Sequence, residues 1–261
     1  VVEVVDAISS RFAEGDFVMV AHPDFGTRTD GGYSQFVDVP ESWLMKLPEG
    51  LTPLECITLG TAGFTAAQCV KALVDSGLQP DDGEVIVTGS TGGVGIFAVM
   101  LLKLLGYQVV AATGKPERHD DLKRLGASRF VSREELVDDS PRPLLSAKWA
   151  GAVDTVGGST LATIIRSTKP HRIVTACGLV GGHELKLTVY PFILRGVSLV
   201  GIDSALVSSS DRIEIWRRLA NEWRLHNLTE LATIVPLEGL EQSITEILQG
   251  KIFGRVIVRL D

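Results

Sequence analysis

The residues best suited to chemistry in this chain sit in one glycine-rich turn and in the cations just beyond the next strand. The turn is the run TGSTGGVG at residues 88–95. Before it, Glu84-Val85-Ile86-Val87-Thr88 is a β-branched run that reads as a buried parallel strand. After it, Ile96 to Leu105 is apolar and helix-forming, and Gly106 stands at the expected cap. A second strand, Tyr107 to Ala112, completes the start of a βαβ unit. Such a turn lets the backbone approach a pyrophosphate, and the helix N-terminus offers it N–H groups and partial positive charge. Against the GxGxxG template, Gly92 and Gly95 occupy the second and third glycine positions and Ser90 the first.

A competing template, TGxxxGxG, also fits Thr88, Gly89, Gly93 and Gly95. It belongs to short-chain dehydrogenases, which need a Tyr-x-x-x-Lys pair for proton transfer. The chain has three tyrosines, and the residues four positions on are Val37, Ala111 and Leu194. None is a lysine, so that chemistry is excluded.

The tip of the second strand selects the cofactor. A carboxylate there would bind a ribose 2′-hydroxyl and repel a 2′-phosphate. Here the tip is Thr113-Gly114-Lys115, with Arg118 close behind. Lys115 is a point charge suited to phosphate, which favours NADPH over NADH. The alternative is that Lys115 and Arg118 are ordinary solvated charges beside Glu117 and Asp120.

Elements that position these residues alternate along the chain. Strands are expected at 129–131, 149–155, 172–176 and 197–202, with helices at 117–125 and 161–168 between them. The alternation predicts an α/β fold with a doubly wound parallel (Rossmann) sheet over 61–204. Upstream, Val1–Val5, Phe17–Val20 and the alternating Tyr33–Val39 read as strands, and 54–60 and 61–76 as helices. Downstream, helices are expected at 211–225 and 240–249, then a strand at 255–260 that must pair elsewhere. Residues 1–60 with 205–261 are therefore read as a second, partial β domain built from the two chain ends.

Composition narrows the class. The 261 residues carry a net charge of −7, which gives no electrostatic support for nucleic acid. The longest wholly apolar run, Ile96 to Leu102, is too short for a bilayer, and no membrane role is expected. Three scattered cysteines, Cys56, Cys69 and Cys177, suit a reducing cytoplasm and offer neither a disulfide framework nor a metal cluster.

Several marks then coincide in order: Gly15-Asp16, Gly31-Gly32-Tyr33, LPEGL at 47–51, GTAGFTA at 60–66, TGSTGGVG at 88–95, LGA at 125–127, DTVGG at 154–158, ACGLVGG at 176–182 and PFILRGVSLVGIDS at 191–204. Together they resemble the medium-chain dehydrogenase/reductase superfamily. Within it the chain is similar to the zinc-independent quinone oxidoreductase branch and its acrylyl-CoA reductase group. The resemblance implies a GroES-like domain beside the Rossmann domain. It implies hydride transfer from NADPH to the β-carbon of an α,β-unsaturated thioester, with quinone or enone reduction as the alternative within the class. A cofactor-binding protein without turnover is the alternative outside it.

By the same resemblance, Thr91, Gly92, Gly93 and Val94 should line the pyrophosphate. Thr113, Gly114 and Lys115 should hold the 2′-phosphate, with Arg133 nearby. Leu179, Ile193 and Ser204 should lie along the nicotinamide half, and Gln249 is a further candidate. Thr61 and Thr65 face the cofactor or serve as helix-cap and core hydroxyls. Arg195 meets a CoA phosphate or is a surface arginine. No metal is expected, since Thr58 stands where zinc-dependent relatives place a ligand. Relatives carry a longer N-terminal part that supplies an active-site tyrosine, so this chain is expected to be a fragment, and no catalytic residue is assigned. Family habit implies a homodimer through the edge strand at 197–202.

Overall fold

The computed structural model describes residues 1–6, 9 and 11–260. These fall into two compact units, residues 1–60 with 205–261, and residues 61–204.

The chain starts in the first unit with β1 (Val2–Glu3), β2 (Phe17–Val20) and β3 (Leu44–Lys46), an antiparallel sheet in the order β1-β2-β3. Val4, Phe12 and Val18 form its small core. The strand expected over 33–39 does not form. Ser34 Oγ donates to the Phe36 carbonyl at 2.6 Å, while Tyr33 and Phe36 are exposed. Alternation of apolar and polar residues makes a strand only when a neighbour supplies the ladder, and a local side-chain bond competes with it.

Helix α1 (Pro53–Asp75) runs from the first unit into the second and breaks at Gly60, whose φ of 49° and ψ of −152° are non-helical. The two helices expected on either side of that glycine are thus present. α1 is long and apolar enough to cross a membrane, but 61% of its apolar window is buried, as suits a core helix.

The second unit is a six-stranded parallel sheet in the order β6-β5-β4-β7-β8-β9. In chain order it contains β4 (Glu84–Thr88), α2 (Gly93–Leu104), β5 (Gln108–Ala112), α3 (His119–Leu125), β6 (Ala127–Val131), β7 (Gly151–Asp154), α4 (Gly158–Arg166), β8 (Ile173–Ala176), α5 (Tyr190–Arg195) and β9 (Ser198–Gly201). Both faces are buried. Ile86, Val110, Ala152 and Val174 lie in register on one side and pack with Leu161, Ile164 and Ile165 of α4. Val85, Val87, Val109 and Ala111 point to the other side and are equally buried. This explains why the strands read as continuous apolar runs. Chain direction reverses between β4 and β7, which places a crevice at their carboxyl ends.

The chain returns to the first unit with α6 (Ser209–Ala220), β10 (Ala232–Pro236), α7 (Leu240–Leu248) and β11 (Arg255–Arg259). α6 stops short of the expected Leu225 because Asn221 leaves helical geometry. The partner sought for the last strand is β10, paired with it in parallel from Ala232↔Arg255 to Pro236↔Arg259.

Candidate functional site

The turn after β4 is tighter than its template suggests. Gly89 takes φ +59°, and a Cβ there would strike the Thr155 hydroxyl. The Gly92 N–H donates to the Gly89 carbonyl at 2.9 Å. Gly89 therefore makes the turn assigned above to the Ser90 position. Ser90 is tolerated because its side chain points inward, its hydroxyl donating to the Val87 carbonyl at 2.6 Å. A Cβ on Gly95 would collide with the Gly89 carbonyl and Ser90 Cα, so α2 begins against the turn. Gly92 at the N-cap is exposed, Gly93 and Val94 are half-buried, and Thr91 is buried. First-turn amides have no intrahelical acceptor, which makes this cradle an anion seat.

At the tip of β5, Thr113 is buried and its hydroxyl accepts the Lys115 N–H at 3.1 Å. Arg133, from the turn after β6, lies over Gly114. A Cβ on Gly114 would fall 2.7 Å from Nε and 2.9 Å from Cδ of Arg133. Burial, and then the charges of Arg118 and Arg133, hold the Lys115 ammonium below its usual value, with Glu117 opposing. Arg118 is partly offset by Asp121, its Nη1 donating to Oδ2 at 3.1 Å. The pocket edge is thus electropositive around Gly114, an arrangement that a phosphate dianion relieves.

The ends of β4 and β7 are tied by Asp154, which is 0% exposed. Thr88 Oγ1 donates to Oδ1 at 2.8 Å, and the Val156 and Gly157 amides donate to Oδ2 at 3.2 and 2.7 Å. Burial outweighs these bonds and raises the carboxyl above its ordinary 3.8. Sequence reading took DTVGG only as a family mark. A lone acid at the end of an apolar strand is the signal for such a lock, since a buried carboxylate must be bonded.

Beyond it, loops 155–158 and 177–182 pack backbone against backbone. A Cβ on Gly157 would lie 2.6 Å from the Gly182 carbonyl, and one on Gly158 2.5 Å from that of Gly181. The Cys177 N–H donates to the Asp154 carbonyl at 3.0 Å and the Gly181 N–H to that of Val156 at 2.7 Å. A cavity of about 480 Å³ opens here, lined by Ala176, Cys177, Gly178, Leu179, Gly201, Ile202 and Asp203. Leu179 is 67% and Ile193 68% exposed. Of the three residues expected on the nicotinamide half, only Leu179 lines this cavity; Ile193 lies on α5, and Ser204 follows Asp203.

Comparisons with known proteins decide the family. Acrylyl-CoA reductase AcuI of Ruegeria pomeroyi is 43% identical over 255 residues, 98% of this chain and 77% of that protein. The chain belongs to the medium-chain dehydrogenase/reductase superfamily. It falls in the zinc-independent quinone oxidoreductase branch that contains the acrylyl-CoA reductases. A family model described as zinc-binding dehydrogenase matches residues 93–221. Salmonella enterica YhdH, solved in complex with NADP, superposes with a TM-score of 0.95 at 41% identity, covering 99% of this chain and 79% of that one. Bacillus subtilis YhfP, solved with NAD bound, gives 0.95 at 45% identity over the same shares. These medium-chain neighbours bear out the expected Rossmann and GroES-like fold class.

Other residues expected at this family's site have different settings. Arg195 is not available to a CoA phosphate. Its Nη1 donates to the Arg166 and Thr168 carbonyls at 3.0 and 3.2 Å, and its Nη2 at 2.5 Å to Leu145. Thr65 donates to the Thr61 carbonyl at 2.7 Å and is buried, as a core hydroxyl, while Thr61 is exposed. Thr58, where relatives place a zinc ligand, is buried and donates to Leu54 O at 2.7 Å. Among the described residues no three His, Cys, Asp or Glu side chains gather as a metal site. Gln249 caps α7 in the chain-end unit, its N–H donating to Thr245 O at 3.1 Å. That unit also holds Arg255, a half-buried cation passed over in the sequence, whose Nε donates to Thr58 O at 3.2 Å. A cavity of about 920 Å³ lies in the same unit, lined by Phe12, Trp43, Met45 and Trp216 among others. Its cations Arg11, Lys46 and Arg217 are paired with Glu41, Asp16 and Glu214, so it offers no unopposed charge to a nucleotide.

Proposed function

We propose that this chain is an NADPH-dependent oxidoreductase that reduces the C=C bond of an α,β-unsaturated acyl-CoA such as acrylyl-CoA. The observation that carries the cofactor is the Arg133 guanidinium seated on Gly114 beside Lys115. The cradle at Gly92 and Gly95 has room for phosphate oxygens that a Cβ would fill. Bound NADPH would supply a hydride to the β-carbon of the substrate. The chain's own part is to hold that cofactor. The amides of 92–94 take the pyrophosphate, Lys115 and Arg133 the 2′-phosphate, and the Asp154 lock fixes the loops that carry Leu179. Such fixed positioning is what hydride transfer needs.

The acyl-CoA substrate is supported by likeness to acrylyl-CoA reductases. Quinone or enone reduction is a second reading, favoured by a B. subtilis relative, 46% identical over 258 residues, that bears a quinone oxidoreductase name. NADPH oxidation, followed by absorbance with acrylyl-CoA and with a simple quinone, separates them. Turnover with acrylyl-CoA supports the first reading, and turnover with the quinone alone supports the second. NADPH binding without either reaction points to a cofactor-binding protein. A cytoplasmic location and pairing of two copies through β9, which lies at the sheet edge, complete the proposal. A monomer by light scattering at micromolar concentration would contradict the pairing.

A further inference from the structure

Cys69 of α1 and Cys177 at the end of β8 are drawn together beside the 480 Å³ cavity. Cys69 is fully buried and Cys177 half-buried. Their side chains are hydrogen-bonded to each other, and Cys69 also bonds the Thr175 hydroxyl. Cys177 Sγ lies 3.5 Å from the Asp154 carbonyl oxygen. The Cys69 thiol stabilises a thiolate on Cys177 and holds that group below its usual value, while Cys69 itself is pushed up. One sulfur is therefore reachable and activated, and the other is shielded within bonding reach.

We infer that Cys69 and Cys177 form a peroxide-sensitive thiol pair that closes to a disulfide beside the cavity. In the first step the Cys177 sulfur attacks one peroxide oxygen. The S–O bond forms, the O–O bond breaks and hydroxide leaves, giving a sulfenic acid. In the second step the Cys69 sulfur attacks Cys177 Sγ, the S–O bond breaks and water leaves. The pair loses two electrons and two protons, and one hydrogen peroxide becomes two waters.

Closure acts on the site through Gly178. A Cβ there would overlap the Thr155 carbonyl, so the segment after Cys177 has no slack. Drawing Sγ toward α1 displaces the loop that carries Leu179. This effect on cofactor binding rests on the NADPH reading above; the disulfide itself does not.

The test treats the purified chain with hydrogen peroxide, alkylates the remaining thiols after unfolding and maps peptides by mass spectrometry. A Cys69–Cys177 cross-link is expected, reversed by dithiothreitol. Cys56 remains alkylated, because burial pushes its thiol up to about 12. NADPH affinity by fluorescence falls about tenfold on oxidation and returns on reduction. In Cys69→Ala, peroxide instead carries Cys177 to sulfinic acid. Three alkylated thiols, or sulfinic acid on Cys177 in the unaltered protein, would overturn the inference. A cross-link that leaves affinity unchanged would overturn its effect on the site. Failure of the reduced protein to bind NADPH sinks the cofactor reading instead, and the peptide map still decides the disulfide.

Discussion

The two ends of the candidate site are built on different physics. Around Gly114 the selective groups are long, charged side chains, Lys115 and Arg133, on the outer turns of β5 and β6. Around Gly178 the selective feature is the absence of side chains, with loops 155–158 and 177–182 in backbone contact over the buried Asp154. A charge on a turn can be deleted with little cost to the core. A glycine between two backbones cannot gain a methyl without moving them. One end can therefore be tuned for specificity, while the other is bound up with folding.

The largest expected effect breaks the backbone end. Gly178→Ala should cost about 3 kcal/mol by overpacking against Thr155, read as a lowered denaturation midpoint. Unchanged stability would mean the loops are not in contact. Asp154→Ala comes next, at about 2 kcal/mol, because the Gly157 and Val156 amides lose their acceptor. Asp154 also gives that end a pH signature. Its folded value is raised, so its protonated form is the one the fold favours. No penalty is present below its ordinary 3.8, and the penalty grows as pH rises above that until the folded value is passed. Stability of the unaltered protein relative to Asp154→Asn should fall as pH rises through this window. A difference that is flat with pH would show that Asp154 does not titrate there.

Smaller effects sharpen the charged end. Lys115→Ala should weaken NADPH about tenfold and leave NADH and the melting temperature nearly unchanged. Equal loss for both cofactors would remove Lys115 from the phosphate site. Gly114→Ala should act more gently, about threefold on NADPH alone, by displacing the Arg133 guanidinium that rests on it. Gly114 has an ordinary φ, so this variant isolates the contact from backbone strain.

What the sequence revealed follows the same division. The strands from Glu84–Thr88 to Ser198–Gly201 were legible because a sheet buried on both faces leaves continuous apolar runs. Lys115 stood out because one position, the tip of β5, decides the ribose contact. The seating of Arg133 on Gly114 was hidden, since α3 and β6 lie between them in the chain. Arg195 was open to misreading because its three carbonyl partners come from segments distant in sequence. Residues 33–39 had the pattern of a strand without a neighbour to complete it. β10 was missed because Ala232–Pro236 ends in proline and acquires its identity only from pairing with β11.

The charged end is tested most directly by the dissociation constants of NADPH and NADH for the unaltered protein, measured side by side by fluorescence titration. Binding of NADPH about tenfold or more tightly than NADH is expected if Lys115 and Arg133 hold a 2′-phosphate. Equal affinity, or tighter NADH, would contradict the cofactor reading. It would mark these cations as ordinary surface charges.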